Sequence, residues 1–371
     1  MHTAMTPALA EGAVLLNQPN SGLSLADEAA LLDAGLPPIN GDFTGKDLLV
    51  AGQLSAADLE IFFGETDLMD HVESDQGKVR LLGNRVVLNE FFEPSTRTDY
   101  SSRFAAIALG ADVVVFNADG STSLKKGETD LDTVVTMDQY IGGELGGLHV
   151  IRHPDRRFVY EAADAVEHPV INAGNGAGEH VTQGMLDVVT IRRRLGEFAG
   201  KTVVFYGDML KGRTSHSTAE LLAKLGVDKM FFVAPNAFQM PEEVLAKLDR
   251  LGAAYEMTDD IEGVIADADV LYRMRLQLER FSEEERRAMP RMGMVSPELL
   301  EHAKETLVML HPFPEDSRIP DFHPAVRKDP RFAVWEQTRQ GKIARMALFA
   351  LTLGRPLSGL SDLQRERILS A

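Results

Sequence analysis

Four arginines, Arg97, Arg152, Arg213 and Arg275, stand where short apolar runs give way to loops or helices. The chain carries a net charge of −18 and a pI near 5.0, so an anion-binding site in it must gather its cations locally. A guanidinium offers a fixed fork of donors that matches carboxylate and phosphate oxygens. Arg97 lies in Phe91-Phe92-Glu93-Pro94-Ser95-Thr96-Arg97-Thr98. There the hydroxyls of Ser95, Thr96 and Thr98 join the unpaired N–H groups and the dipole of an incoming helix, a seat for phosphate that needs no glycine loop. The same residues also suit an ordinary N-cap beside an exposed arginine. In Thr122-Ser123-Leu124-Lys125-Lys126-Gly127-Glu128-Thr129, two lysines beside a glycine and hydroxyls suit a mobile anion-gripping loop, and equally a plain surface loop.

Arg152 follows an apolar run in Ile151-Arg152-His153-Pro154. Asn172-Ala173-Gly174-Asn175-Gly176 leads to His180-Val181-Thr182-Gln183, whose His180 and Gln183 share one face of a first helical turn. Arg213 sits in Gly212-Arg213-Thr214 after Tyr206-Gly207-Asp208. In Arg275-Leu276-Gln277, strand alternation puts Arg275 and Gln277 on the same side. In His311-Pro312-Phe313-Pro314 the prolines stiffen a turn and leave the Pro312 and Phe313 carbonyls as acceptors. Together these groups argue for a site that binds two small anions.

The elements that must position them alternate. Strands are predicted at Arg85–Phe92, Asp112–Phe116, Leu148–Arg152 and Val170–Ala173, with helices at Ser95–Leu109, Asp130–Ile141, Phe158–Val166 and Thr182–Leu195. The alternation restarts with strands at Thr202–Tyr206, Met230–Val233, Val270–Tyr272 and Leu307–Leu310, and helices at Ser215–Leu225 and Pro241–Leu251. A last helix is expected over Lys342–Leu353, and Ser24–Ala34 could be helical. Short apolar strands between amphipathic helices indicate parallel sheets covered on both faces. The expected fold is α/β, two doubly wound parallel-sheet domains of similar size, with the C-terminal helix packing back on the first. The expected divisions are an extension at 1–45, domains at 46–190 and 191–340, and a C-terminal helix within 341–371. In such sheets ligands collect beyond the carboxyl ends of the strands, where every motif above falls.

Composition narrows the chemistry. The 371 residues are 44% hydrophobic and 25% charged, a globular balance with room for two cores. The acidic surface disfavours nucleic acid and anionic membrane, and no apolar run reaches the ~18 residues of a membrane span. The absence of cysteine excludes disulfides, a thiolate zinc site and a thiol nucleophile, and fits a cytoplasmic protein. Lys46 is the first basic residue, so no secretory signal is expected. The G-x-G-x-x-G spacing of a dinucleotide site is missing after Tyr206.

Taken in order, the motifs from about Asn84 to Leu353 resemble the transcarbamoylase superfamily. Ser-Thr-Arg-Thr after Phe-x-x-Pro resembles its carbamoyl-phosphate signature, and His-x-x-Gln after Asn-Ala-Gly-x-Gly supports it. Gly212-Arg213-Thr214, Arg275-x-Gln277 and His311-Pro312-Phe313-Pro314 resemble the aspartate branch. The Ser-Met-Gly and His-Cys-Leu-Pro motifs of the ornithine branch are absent. The resemblance implies that Ser95, Thr96, Arg97 and Thr98 hold the phosphate of carbamoyl phosphate. It gives Thr98, Arg152 and His180 the carbamoyl oxygen, and Gln183 with the Pro312 and Phe313 carbonyls its NH2. It assigns Arg213, Arg275 and Gln277 to the carboxylates of aspartate. Ser123 (or Thr122) and Lys126 would reach a neighbouring subunit's site in a homotrimer, free or within a larger assembly. No cofactor or metal is implied. A different amine acceptor and a non-catalytic binding role are the alternatives. Four departures stand out: Asp99 where the family has arginine, Val181 for proline, Phe313 for leucine, and an insertion at Gly142–Gly147.

Overall fold

The computed structural model describes residues 35–75, 77–117, 126–143, 145–277, 282, 284, 292–361 and 364–365. Ser24–Ala34, Thr122 and Ser123 lie outside them. The chain divides into two compact units. The first takes the described residues up to Thr182 and again from Gly341, and the second runs from Gln183 to Gln340.

In the first unit four strands, β1 (Val86–Phe91), β2 (Asp112–Asn117), β3 (Gly147–His153) and β4 (Val170–Asn175), form a parallel sheet in the order β2-β1-β3-β4. Its helices are α1 (Ala56–Asp75), α2 (Thr96–Ala108), α3 (Asp130–Asp138) and α4 (Phe158–Ala165). Ile151 and Val170 of the sheet close a core with Val134 of α3 and Phe158, Val159 and Ala162 of α4. Beyond β4, Leu48 donates to Val170 O and accepts from Asn172 N, both at 2.9 Å. Ile39 and Phe43 are buried as well, so this stretch is part of the unit.

Helix α5 (Val181–Leu195) leads from the first unit into the second. There β5 (Thr202–Gly207), β6 (Lys229–Val233), β7 (Tyr255–Thr258), β8 (Val270–Met274) and β9 (Val308–Leu310) form a parallel sheet in the order β7-β6-β5-β8-β9. Helices α6 (Arg213–Lys224), α7 (Glu242–Arg250) and α8 (Pro297–Leu300) belong to it, and α9 (Val334–Thr352) carries the chain back. The strands are runs of buried Val, Phe, Met and Leu, as a sheet covered on both faces requires. Phe205 joins Phe232 and Tyr272 in an aromatic row with ring centroids 5.5 and 5.3 Å apart.

Both sheets have one place where neighbouring strands continue in opposite directions. In the first it lies between β1 and β3, in the second between β5 and β8. Such a switch point opens a crevice at the carboxyl ends of the strands.

The structure departs from the sequence expectations in several elements. Helix α9 begins at Val334 rather than Lys342, and α1 and β7 were not expected at all. Arg275 and Gln277 do not alternate along a strand, because β8 ends at Met274. His180 precedes α5 instead of lying in its first turn. In the glycine insertion Gly142 and Gly143 are exposed, while a Cβ on Gly146 would sit 1.9 Å from Gly142 O, and one on Gly147 2.5 Å from Val86 O. The insertion is tied down by His168 Nε2, 2.8 Å from Gly143 O.

Beneath that insertion lies a buried polar cluster. His149 Nδ1 is 2.8 Å from Glu90 and its Nε2 3.1 Å from Asp138, which also meets His168 Nδ1 at 2.7 Å. Burial disfavours charge on His149, yet Glu90 and Asp138 raise its pKa to about 9. Against the cost of burial, hydrogen bonds from His149, Glu167 N and His168 hold Asp138 well below the usual carboxylate range.

Candidate active site

In the first unit the candidate residues gather at the β1–β3 switch point. Ser95 leaves β1 in extended conformation and caps α2, its Oγ accepting the Thr98 N–H at 3.3 Å. This presents Thr96, Arg97 and Thr98 in the first turn, where the remaining N–H groups point out of the helix. Thr98 is buried and Arg97 half-buried. Arg152 is delivered to the same end by register, as the Cα partner of Phe91. Its Nη2 lies 2.9 Å from Glu93 Oε2, and its Nη1 reaches Ala173 O at 3.5 Å.

His180 arrives from the end of β4. Its Nε2 stands 3.2 Å from Thr98 Oγ1, and its Nδ1 3.4 Å from Thr182 Oγ1. Arg345 of α9 donates to Thr182 Oγ1 at 3.0 Å. The Thr182 hydroxyl thus links the Arg345 guanidinium to one ring nitrogen of His180, while the other faces Thr98. The structure thus brings Ser95, Thr96, Arg97, Thr98, Arg152 and His180 to one end of one sheet. Lys126 is exposed, just before α3.

Asp99 follows Thr98 without disturbing this end. Its carboxylate takes a two-pronged ion pair from Arg103, 2.5 Å on each arm, and accepts Asn89 Nδ2 at 2.7 Å. The negative charge is matched within its own helix and by β1.

In the second unit the candidate residues gather at the β5–β8 switch point. Gly207 ends β5 at φ +144, where a Cβ would fall 2.0 Å from Met274 O; only glycine lets the two strand ends close. Asp208 follows, fully buried, and accepts the N–H groups of Lys211 at 3.0 Å and Gln277 at 3.1 Å. Burial pushes its pKa up, with those bonds opposing. One carboxylate therefore ties together the loop that delivers Arg213, buried at the start of α6, and the segment of Arg275 and Gln277. Arg275 donates to Leu276 O at 3.0 Å. With Arg273, Leu276, Met292, Asp316, Ile319 and Asp321 it lines a small pocket.

Gln183 and the turn after β9 belong to this unit. Gln183 Nε2 donates to Asp187 at 2.9 Å. Phe313 takes φ +54, a left-handed conformation that bulky residues rarely adopt and that often marks a functional turn. His311 Nδ1 accepts Phe313 N–H at 2.7 Å, and its Nε2 faces Asp321 at 3.1 Å. The Phe313 ring packs at a tilt against Trp335, with ring centroids 5.4 Å apart.

Sequence reasoning did not single out Glu93, Thr182, Asp187, Asp208 or Arg345. Glu93, Thr182 and Asp208 lay inside the motifs named above, and Asp187 is four residues beyond Gln183, a spacing that brings helical side chains together. Arg345 gave no signal of its own.

Comparison with known proteins agrees along nearly the whole described chain. Residues 46–193 match the family model for the aspartate/ornithine carbamoyltransferase carbamoyl-P binding domain, and residues 199–352 that for the Asp/Orn binding domain. The aspartate carbamoyltransferase catalytic subunit of Thermococcus gammatolerans is 37% identical over 314 residues, 84% of this chain and 99% of that protein. That of Vibrio vulnificus is 39% identical over 316 residues, covering 84% and 98%. The aspartate transcarbamoylase of Trypanosoma cruzi in complex with carbamoyl phosphate aligns with a TM-score of 0.78 at 36% identity, covering 85% of this chain and 98% of that one. Its complex with carbamoyl aspartate and phosphate aligns at 0.76 and 35%, with the same coverage. The chain belongs to the aspartate/ornithine carbamoyltransferase family.

Proposed function

We propose that the protein transfers the carbamoyl group of carbamoyl phosphate to the amine of L-aspartate, giving N-carbamoyl-L-aspartate and phosphate, a reaction of pyrimidine biosynthesis. The observation that carries this reading is the meeting of Thr98 and His180, 82 residues apart, at the start of the helix that Ser95 caps. The catalytic-subunit relatives and the ligands held by the T. cruzi enzyme support it.

In this reading Ser95, Thr96, Arg97 and Thr98 bind phosphate, while Gln183 and the Pro312 and Phe313 carbonyls accept from the carbamoyl NH2. Arg213, Arg275 and Gln277 take the aspartate carboxylates. The amine lone pair attacks the carbamoyl carbon, the bond to the phosphate oxygen breaks, and the departing phosphate can accept the amine proton. Thr98, Arg152 and His180 stabilise the oxygen on which negative charge develops, typically the largest single contribution in acyl transfer. Holding two anions in attack geometry among cations supplies the rest. No metal, cofactor or covalent nucleophile takes part.

The reading includes a homotrimer in which Ser123 and Lys126 serve a neighbouring subunit. An apolar stripe supports assembly: Tyr100, Phe104 and Ile107 are about half exposed on one side of α2, and Val114 and Val115 are exposed on the edge strand β2. It also includes a cytoplasmic location, in keeping with the absence of cysteine.

The test is carbamoyl transfer by purified protein from carbamoyl phosphate to L-aspartate, beside ornithine and other amines, with ureido product quantified. Product with aspartate that vanishes in Arg97→Ala is the expected result. Product with another amine alone would move the acceptor assignment, and no product with any amine would refute the reading.

A further inference from the structure

Asp187 is fully buried in α5, and no step of the proposed transfer touches it. Four donors converge on it. Gln183 Nε2 at 2.9 Å and Gln337 Nε2 at 2.7 Å reach Oδ1. The Thr218 hydroxyl at 3.0 Å and the Tyr272 hydroxyl at 2.6 Å reach Oδ2. Burial pushes the carboxyl up to about 6, with the four hydrogen bonds opposing, so it is an anion at neutral pH. An ionised carboxylate only accepts, so both glutamines must turn their NH2 ends toward it.

For Gln337 the other end is accounted for: its Oε1 accepts the His311 N–H at 2.8 Å. His311 Nδ1 in turn accepts the Phe313 N–H at 2.7 Å. One carboxylate thus orients the amide of Gln183 and, through Gln337, braces the turn that carries the Pro312 and Phe313 carbonyls. Those are the acceptors that the proposed function gives to the carbamoyl NH2.

Carbamoyl phosphate and acetyl phosphate differ only by NH2 in place of CH3. A phosphate seat and an oxyanion site treat them alike; only acceptors aimed at the NH2 discriminate, because a methyl group leaves them unpaired. An unrestrained glutamine is ambiguous, since its two ends are nearly the same shape and an end-for-end flip would offer a donor instead. We infer that Asp187 is a positioning residue that makes the site selective for a carbamoyl over an acyl phosphate, by locking the Gln183 amide in its acceptor orientation and bracing the Pro312 and Phe313 carbonyls through Gln337. The inference rests on the assignment of Gln183, Pro312 and Phe313 to the carbamoyl group.

The experiment uses the full chain, with acetyl phosphate and inorganic phosphate as competitive inhibitors against carbamoyl phosphate. The readout is the acetyl phosphate Ki divided by the carbamoyl phosphate KM. Asp187→Leu keeps roughly the volume but can accept a hydrogen bond from neither Gln183 nor Gln337. It is expected to lower the ratio roughly tenfold or more, as loss of a buried hydrogen bond implies. The Ki of inorganic phosphate should stay within about twofold. Gln337→Met removes the bonds to Asp187 and to the His311 N–H but leaves the Gln183 bond in place, and should lower the ratio by a smaller factor; it decides the matter if Asp187→Leu does not fold. Thr218→Val removes one bond to Oδ2 and should cost thermal stability with the ratio unchanged. An unchanged ratio in Asp187→Leu, or in Gln337→Met where that variant decides, overturns the inference while the transfer reading stands. A wild-type protein that forms no carbamoyl aspartate overturns that reading, and the inference with it.

Discussion

Arg152 Nη2 rests 2.9 Å from Glu93 Oε2, so the cation assigned to the developing oxyanion is held by a carboxylate from the neighbouring strand end. Both side chains keep some exposure, 14% and 26%, and an ion pair in such a setting is worth about 1 kcal/mol or less. Substrate can therefore displace it cheaply. Arg152→Lys keeps the charge but loses the planar fork. The variant should lose on the order of 10²-fold in kcat with a thermal midpoint close to wild type. Steady-state kinetics beside a melting curve checks both; wild-type kcat would remove Arg152 from the oxyanion role.

The chain Arg345, Thr182, His180, Thr98 predicts a graded response. His180→Ala should lower kcat by roughly 10²–10³-fold. Thr182→Val, which withdraws the hydroxyl from Nδ1, should lower it by only about tenfold, because the ring remains and only its aim is loosened. Phosphate affinity, measured by calorimetry, should be unchanged in Thr182→Val. Equal losses in the two variants would contradict the ordering.

Asp99 and Arg103 form a matched pair beside the phosphate seat. Restoring the family's arginine alone, Asp99→Arg, would set two guanidinium groups four residues apart on one helix. It is expected to cost roughly 1–3 kcal/mol of stability and to weaken carbamoyl phosphate binding. The double variant Asp99→Arg, Arg103→Glu inverts the pair and should recover most of both losses. A double-mutant cycle by chemical denaturation measures the coupling; additive losses would show that the pair does not matter.

The Glu90–His149–Asp138–His168 cluster makes stability depend on pH. The folded pKa of His149, about 9, lies above its ordinary 6.5. The folded chain therefore keeps a proton that the unfolded chain loses, and this contribution, on the order of 3 kcal/mol, is complete below about pH 6.5 and lost as pH rises through about 9. The depressed Asp138 acts in the opposite sense, stabilising above about pH 4 and failing only in stronger acid. The melting temperature should fall between about pH 6.5 and 9, and Glu90→Gln, which removes one of the charges that raise His149, should flatten that decline. An identical slope in the variant would show that the cluster is not its source.

How far these features could be read beforehand differs by element. Strand β1 and helix α2 were legible because a β-branched run meets a Ser-Thr cap. Helix α1 was not, since Gly64 and acidic residues interrupt the row Phe62, Phe63, Met69 and Val72. Strand β7 is an edge strand whose Glu256 and Met257 face solvent, so it lacks apolar alternation. The first turns of α9 were hidden by Gln337 and Gln340, polar residues in buried positions. The charged groups of the site announced themselves, because cations at strand ends in an acidic chain need a reason. Their supports did not. Asp187 finds Gln337 150 residues away and Glu90 finds His149 across 59, and only the fold reveals that such buried polar groups are satisfied.

The thirteen residues of α2 carry the turn proposed to bind phosphate at one end and the Tyr100, Phe104, Ile107 stripe along one side. A rigid rod that serves both duties links catalysis to dilution. If other copies of the chain cover the stripe, the helix start is steadied by neighbours that leave as the protein is diluted. Specific activity should then fall below a threshold concentration, and the melting temperature should climb with concentration above it. On that footing the active form would be the default in a crowded cell, and in a dilute assay the same chain would look like a poor catalyst.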